Sequence, residues 1–279
     1  MTVAIIGIGL IGGSMALALR NAGIADYVIG VDNNAAHAER ALELQLVNEM
    51  TDLQTAVDKA ELIILAVPVN AAHALIPGIL DKVSTQVVMD VGSTKAGILD
   101  AIRTHDKRGR FVATHPMWGT EFSGPDAAVK EAFINKAVVI TDAGDTDEDA
   151  LKLVTEMYER IGMHILHMES EAHDLHAAYV SHISHITSFA LANTVLEKER
   201  EEDTIFQMAS GGFESTVRLA KSNAAMWVPI FMQNRENVLD VLNEHIAQLR
   251  KFKSCLEKEN FTYLRELIEN ANRITRILK

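Results

Sequence analysis

Cysteine is almost absent. The single Cys255 excludes an intrachain disulfide and suits a reducing compartment, which points to the cytoplasm. Basic residues are outnumbered, 26 Lys and Arg against 38 Asp and Glu, giving a net charge of −12 with no long basic run. That balance argues against nucleic acid and against an anionic membrane surface as partners. It also requires any anionic substrate to be met by local Arg or Lys acting against the global field. The apolar stretch 62–80 is broken by Pro68, Asn70, His73 and Pro77, so it reads as a strand and a helix and not as a membrane span. Met1 leads straight into a strand pattern, and no leader peptide is expected. Repeats and low-complexity tracts are lacking, and beyond Glu169 so is any strand pattern.

What is present begins at once. Val3 to Ile6 form an apolar, branched run, Gly7, Gly9 and Gly12 follow at G-x-G-x-x-G spacing, and helical periodicity resumes through Met15, Ala16, Leu19 and Ala22. Gly7 serves the tight turn, Gly9 a close approach to a pyrophosphate, and Gly12 helix-on-strand packing. Leu10 and Ile11 lie inside the same turn, at a helix N-terminus whose free N–H groups favour an anion. A second strand, YVIGV at 27–31, ends at Asp32, which lies 20 residues beyond Gly12, where an acid binds the adenosine ribose. A carboxylate there repels a 2′-phosphate, and Asn33 and Asn34 bring no arginine beside it, so the motif selects NAD over NADP. A purely structural glycine turn would leave Asp32 unexplained.

The alternation continues with a helix at 35–44 and strands LIILAV at 62–67 and VVMDV at 87–91. A helix at 96–103, strands at 110–114 and 137–141, a helix ending at Tyr158 and a strand at 163–167 complete it. From 169 on the pattern is helical, at 172–199, 215–222, 225–258 and 261–278, with Asn260 as N-cap of the last. The 279 residues therefore divide into an α/β half, 1–167, with a Rossmann-type, doubly wound, mostly parallel sheet, and an all-α half, 168–279. Helices this long suggest a bundle or an intertwined homodimer.

Ligands lie at the carboxyl ends of the strands of such a sheet. Val67 and Pro68 close one strand, Ser93 and Lys95 follow another, and His115 follows a third. His115 is either a general base over the nicotinamide or a histidine satisfied within its loop. Ser93 either caps the next helix or donates to that histidine or to a substrate oxygen, and Lys95 reads as a first-turn surface lysine. On a straight helix His173 and His182 fall on opposite sides, so the cluster His173, His176, His182 and His185 does not read as a metal site. His182 and His185 are either satisfied interface residues or a polar face of a cleft. Arg218 suits bidentate grip of a carboxylate and otherwise is a surface arginine, while Trp227 otherwise is a core or dimer-contact residue.

In the segments GIGLIGGS (7–14), DVGSTK (90–95), THPMWGTEFSG (114–124), VSHISH (180–185) and SGGFESTVRLAKSNAAMW (210–227), the sequence resembles the prephenate and arogenate dehydrogenases of tyrosine biosynthesis, over essentially the whole chain. The resemblance implies NAD-dependent oxidative decarboxylation of a cyclohexadienol. It gives His115 the polarising role, with Ser93 as its hydrogen-bonding companion, and Arg218 the carboxylate clamp. His182 becomes a polar neighbour of the substrate, Thr120 and Glu121 order the pocket, and Trp227 approaches the site from a partner subunit of a homodimer. Glu214 stands where some relatives carry a base. Prephenate is expected over arogenate, and Asp126 is the acid that would favour arogenate's amine. Another dehydrogenase or reductase with a helical dimer domain, or a non-catalytic NAD sensor, would share the glycine motif but would not require the histidine loop together with Arg218.

Overall fold

Strand β4 (Leu62–Leu65) is buried on both faces, and the sheet is built outward from it. The computed structural model describes residues 1–200 and 204–277. Its sheet has eight strands, β1 (Thr2–Ile6), β2 (Tyr27–Val31), β3 (Glu49–Met50), β4, β5 (Val87–Asp90), β6 (Phe111–Pro116), β7 (Ala137–Thr141) and β8 (His164–Met168). Their spatial order is 3-2-1-4-5-6-7-8, and every pairing is parallel except β6 with β7. Six helices accompany the strands: α1 (Leu10–Asn21), α2 (Ala35–Glu43), α3 (Leu53–Lys59), α4 (Val69–Leu80), α5 (Ala96–Ile102) and α6 (Glu148–Arg160). The doubly wound α/β class is as expected. Strand β3 and helix α3 were not expected, because two residues and seven residues are too short to carry a periodicity.

Alternation along β4 supplies two cores. Ile63 and Leu65 pack with Ile76, Ile79 and Leu80 of α4, Ile98 of α5 and Phe111. Leu62 and Ile64 belong to the opposite face, with Met15 and Leu19 of α1 and Val154, Met157 and Tyr158 of α6. Each such fully buried side chain contributes about 1.5–3 kcal/mol, and together they hold the carboxyl ends of β1, β4, β5 and β6 in fixed register.

The helical half comprises α7 (Ser170–Ala177), α8 (Ile183–Glu199), α9 (Gly211–Val217), α10 (Ala224–Gln233), α11 (Arg235–Glu257) and α12 (Phe261–Ala271). No strand follows Met168 among the described residues. The expected single helix 172–199 contains a π segment, Ala178–His182, between α7 and α8. Its i→i+5 bonding delays the rotation of everything after it. The expected helix 225–258 is broken at Asn234, and α12 starts on its Asn260 cap, whose side chain accepts from the Tyr263 N–H at 3.1 Å. The helix stops at Ala271 in a 3₁₀ turn, and Leu278, the expected end, lies outside the described residues.

By compactness the chain divides into Met1–Asn234 and Arg235–Lys279, so α7 to α10 group with the sheet. The reason is local: α7 and α10 are bonded to the end of β5 and the start of α5, through Asp174 to the Lys95 and Ala96 N–H groups and through Thr94 to Gln233. Among the described residues no helix is long and apolar enough to cross a membrane.

Candidate active site

The three glycines of the first turn meet three different demands. Gly7 has φ +93°, and a Cβ there would lie 2.6 Å from the Ala66 carbonyl oxygen, so only glycine fits the turn. At Gly12 a Cβ would fall 1.9 Å from the Gly7 carbonyl oxygen, which makes close helix-on-strand packing obligatory. Around Gly9 a Cβ would meet nothing within 4 Å, leaving open space at the N-terminus of α1 for a phosphate group. Asp32 Oδ2 accepts from the Ile8 N–H at 2.9 Å, and Oδ1 accepts from the Asn34 N–H at 2.9 Å. Its carboxylate is thereby fixed beside the phosphate turn, as a ribose ligand must be. Replacing Asp32 with alanine is expected to lower the NAD-over-NADP preference in kcat/KM by ~10–100-fold, the worth of one hydrogen bond to a charged group. An unchanged preference would remove Asp32 from ribose recognition.

From that turn a cavity of about 250 Å³ runs along the carboxyl end of the sheet. Gly9, Leu10 and Ile11 line one end, Val67 and Pro68 the middle, and Ser93 and Glu121 the other. Ser93 does not cap α5. That helix start is satisfied by the Asp174 carboxylate, which accepts from the Lys95 N–H at 2.8 Å and the Ala96 N–H at 3.0 Å. Ser93 faces the cavity instead, and it makes no bond to His115 here. Thr120 Oγ1 accepts from the Phe122 N–H at 3.3 Å, bracing the loop that carries Glu121. The Arg218 guanidinium donates to Glu121 Oε2 at 2.8 Å; a local backbone hydrogen bond first, and this bond second, hold the Glu121 carboxyl below its ordinary range. Asp126 does not line this cavity, and Arg40 of α2 holds its carboxylate at 2.8 and 2.7 Å.

His115 stands at the end of β6, and its Nδ1 lies 2.8 Å from Nε2 of His173. His173 Nδ1 is in turn 2.8 Å from Oδ1 of Asp174. A carboxylate only accepts, so His173 carries its proton on Nδ1 and offers a bare Nε2. His115 must then donate from Nδ1, which leaves its own Nε2 lone pair free for a substrate hydroxyl. Burial holds His115 well below the usual imidazole range, with His173, Lys95 and His182 adding to the effect. Lys95 is not a surface residue: it is fully buried and paired with Asp90, whose carboxylate also accepts from the Gly92 N–H at 2.9 Å and the Thr114 N–H at 3.3 Å. Removing one partner of such a buried pair costs about 3–5 kcal/mol.

The π segment overturns the straight-helix placement of the histidines. His173 and His182 lie before and at the end of that segment, and Asn234 joins them: its Nδ2 donates to the Asp174 carbonyl at 2.6 Å and lies 3.1 Å from His182 Nδ1. Trp227 is buried where α10 packs on α4, with its indole beside Val69. It stacks on His185 with centroids 3.5 Å apart and meets His182 edge-on at 5.9 Å. His173, Asp174 and Asn234 were not singled out as site residues by sequence reasoning; an acid directly following a histidine was the one available signal.

Burial pushes His182 down to about 4 and lowers His185 as well. Folding therefore holds His115, His182 and His185 neutral, while the unfolded chain binds their protons near pH ~6.5. Their contribution is full above that pH and is lost as pH falls. Thermal melting is expected to weaken between about pH 6.5 and 5, above the carboxylate range; a flat Tm over that window would contradict neutral burial.

Two family models match the chain: prephenate dehydrogenase, nucleotide-binding domain, over residues 15–167, and prephenate dehydrogenase, dimerization domain, over residues 169–270. The cyclohexadienyl dehydrogenase of Zymomonas mobilis is 32% identical over 99% of this chain and 96% of its own length. Among solved structures, prephenate dehydrogenase from A. aeolicus, in complex with hydroxyphenyl propionate and NAD+, has a TM-score of 0.89 at 31% identity, covering 99% of this chain and 97% of that one. Synechocystis arogenate dehydrogenase has a TM-score of 0.77 at 27% identity and covers 100% of both chains. The histidine loop and the helical half fall within the residues that the two family models match, the glycine turn directly precedes them, and the chain belongs to the prephenate dehydrogenase family.

Proposed function

We propose that this chain oxidises and decarboxylates prephenate with NAD, giving 4-hydroxyphenylpyruvate, carbon dioxide and NADH in tyrosine biosynthesis. The carrying observation is the bare Nε2 of His115, set by the His173–Asp174 pair at the end of the same strand layer that holds the glycine turn. The open space at Gly9 and the pinned Asp32 fit a bound dinucleotide, with Leu10, Ile11, Val67 and Pro68 along its path. NAD supplies the hydride acceptor when bound. His115 accepts the proton of the ring hydroxyl as the carbinol C–H bond breaks. The ring carboxylate then leaves as CO2, its bonding pair completes the aromatic ring, and the phenolic oxygen recovers a proton. The protein's task is alignment and polarisation, because aromatisation provides the driving force.

In this reading Ser93, which lines the cavity, bonds the same hydroxyl, Arg218 serves as the carboxylate clamp, and His182, Thr120, Glu121 and Trp227 complete the substrate side. Residues 1–167 act as the dinucleotide-binding domain and 168–279 as the substrate and dimerisation domain of a cytoplasmic homodimer. The withdrawal of Asp126 by Arg40 removes the acid that would favour an amine, which supports prephenate over arogenate. The test is the rate of NADH formation with each substrate in turn. Faster turnover of prephenate is expected; faster turnover of arogenate would reverse the preference, as the cyclohexadienyl and arogenate dehydrogenase relatives allow.

A further inference from the structure

We propose that Asn234 is a positioning residue that fixes His182 with its proton on Nε2, so that the pocket presents one histidine nitrogen that accepts, on His115, and one that donates, on His182. The inference rests on the proposed function only in taking both histidines to face the substrate.

The assignment follows from hydrogen-bond chemistry. The Asn234 atom 2.6 Å from the Asp174 backbone carbonyl must be the NH2 group, because a carbonyl cannot donate. That same NH2 lies 3.1 Å from His182 Nδ1, and its second proton makes Nδ1 an acceptor. A neutral imidazole that accepts at Nδ1 carries its proton on Nε2. Burial keeps the ring neutral near pH 7. His182 Nε2 has no partner among the described residues, yet it is not among their sealed, unsatisfied buried atoms, so the small opening over this 1%-exposed residue reaches it.

Asp174 is the shared anchor. Its carboxylate orders His173, which sets His115, and its backbone carbonyl orders Asn234, which sets His182. One residue thereby imposes opposite tautomers on the two rings. The placement of Asn234 has a backbone cause: it sits at the break between α10 and α11, with φ −104° and ψ +29°, and the adjacent Gln233 is tied to Thr94 at 2.6 Å. A donor at His182 suits a carboxylate or other acceptor oxygen of the substrate, and it grips that oxygen without placing a second base beside the hydroxyl.

The test uses NAD-loaded protein labelled with ¹⁵N in histidine, with the His182 resonances assigned by comparison with His182→Gln. Two-bond ¹H–¹⁵N spectra at neutral pH are expected to show His182 protonated on Nε2 and bare on Nδ1; protonation on Nδ1 would overturn the proposal. Asn234→Asp replaces the donor with an acceptor of the same shape and is expected to move a proton onto Nδ1. It is also expected to raise KM for prephenate by ~10-fold, with a smaller change in kcat. A folded Asn234→Asp protein whose His182 spectrum is unchanged would overturn it too. If that variant does not fold, the wild-type spectrum decides alone. Wild-type turnover judges the proposed function separately: no turnover with the expected tautomer sinks that function, whereas turnover with an Nδ1-protonated His182 sinks only the role of Asn234.

Discussion

Replacing His115 with asparagine is expected to lower kcat by ~10²–10⁴-fold while leaving NAD affinity nearly unchanged. The substitution is suited to the geometry. An asparagine amide can occupy the place of Nδ1, 2.8 Å from His173 Nε2, and keep that buried contact. Nothing in asparagine reaches the place of Nε2, so the lone pair that receives the hydroxyl proton is deleted with little else disturbed. The proposed dinucleotide contacts are at the glycine turn and Asp32, which His115 does not touch. Measuring kcat and NAD affinity in parallel checks both halves. Full turnover would remove His115 from the chemistry, and a matching loss of NAD affinity would point to collapse of the pocket instead.

The second large effect is on substrate capture. Arg218→Ala is expected to raise KM by ~10–100-fold, since a hydrogen bond between charged groups is worth about 1.5–3 kcal/mol. The change in kcat should be smaller, because the clamp acts on a carboxylate in ground and transition states alike. In this structure Arg218 is half exposed and holds Glu121 at 2.8 Å, which shows that the guanidinium is aimed at a carboxylate on the cavity's rim. In the proposed function, binding exchanges one carboxylate partner for another. Arg218→Lys keeps the charge but loses the planar fork and should fall between wild type and alanine. An unchanged KM for the alanine variant would assign Arg218 to the loop alone.

The sheet and its glycine turn are legible in the sequence because each depends on short-range pattern. Gly7, Gly9, Gly12 and Asp32 mark a turn, an open approach, a packing contact and a carboxylate pinned to the Ile8 N–H within one strand–helix–strand unit. Parallel topology then gathers Val67, Ser93 and His115 at one end whatever their separation in sequence. The hidden parts depended on distant partners or on phase. Lys95 seemed a surface residue because its burial against Asp90 follows from how β5 and α7 enclose it. The pairing of Asp126 with Arg40, 86 residues earlier, has no local signal in the sequence. His173 enters the sequence reading only within a four-histidine cluster placed by 100° per residue, and a π segment at 178–182 has no composition of its own to break that count. Asn234 was hidden inside an apparent long helix that it in fact interrupts.

The stoichiometry of products from prephenate tests the central claim most directly. Purified protein with NAD and prephenate, sampled over one time course for NADH and for released carbon dioxide, is expected to yield one CO2 for each NADH, with 4-hydroxyphenylpyruvate accumulating in step. NADH formed without carbon dioxide, or neither product despite demonstrable NAD binding, would contradict oxidative decarboxylation at His115.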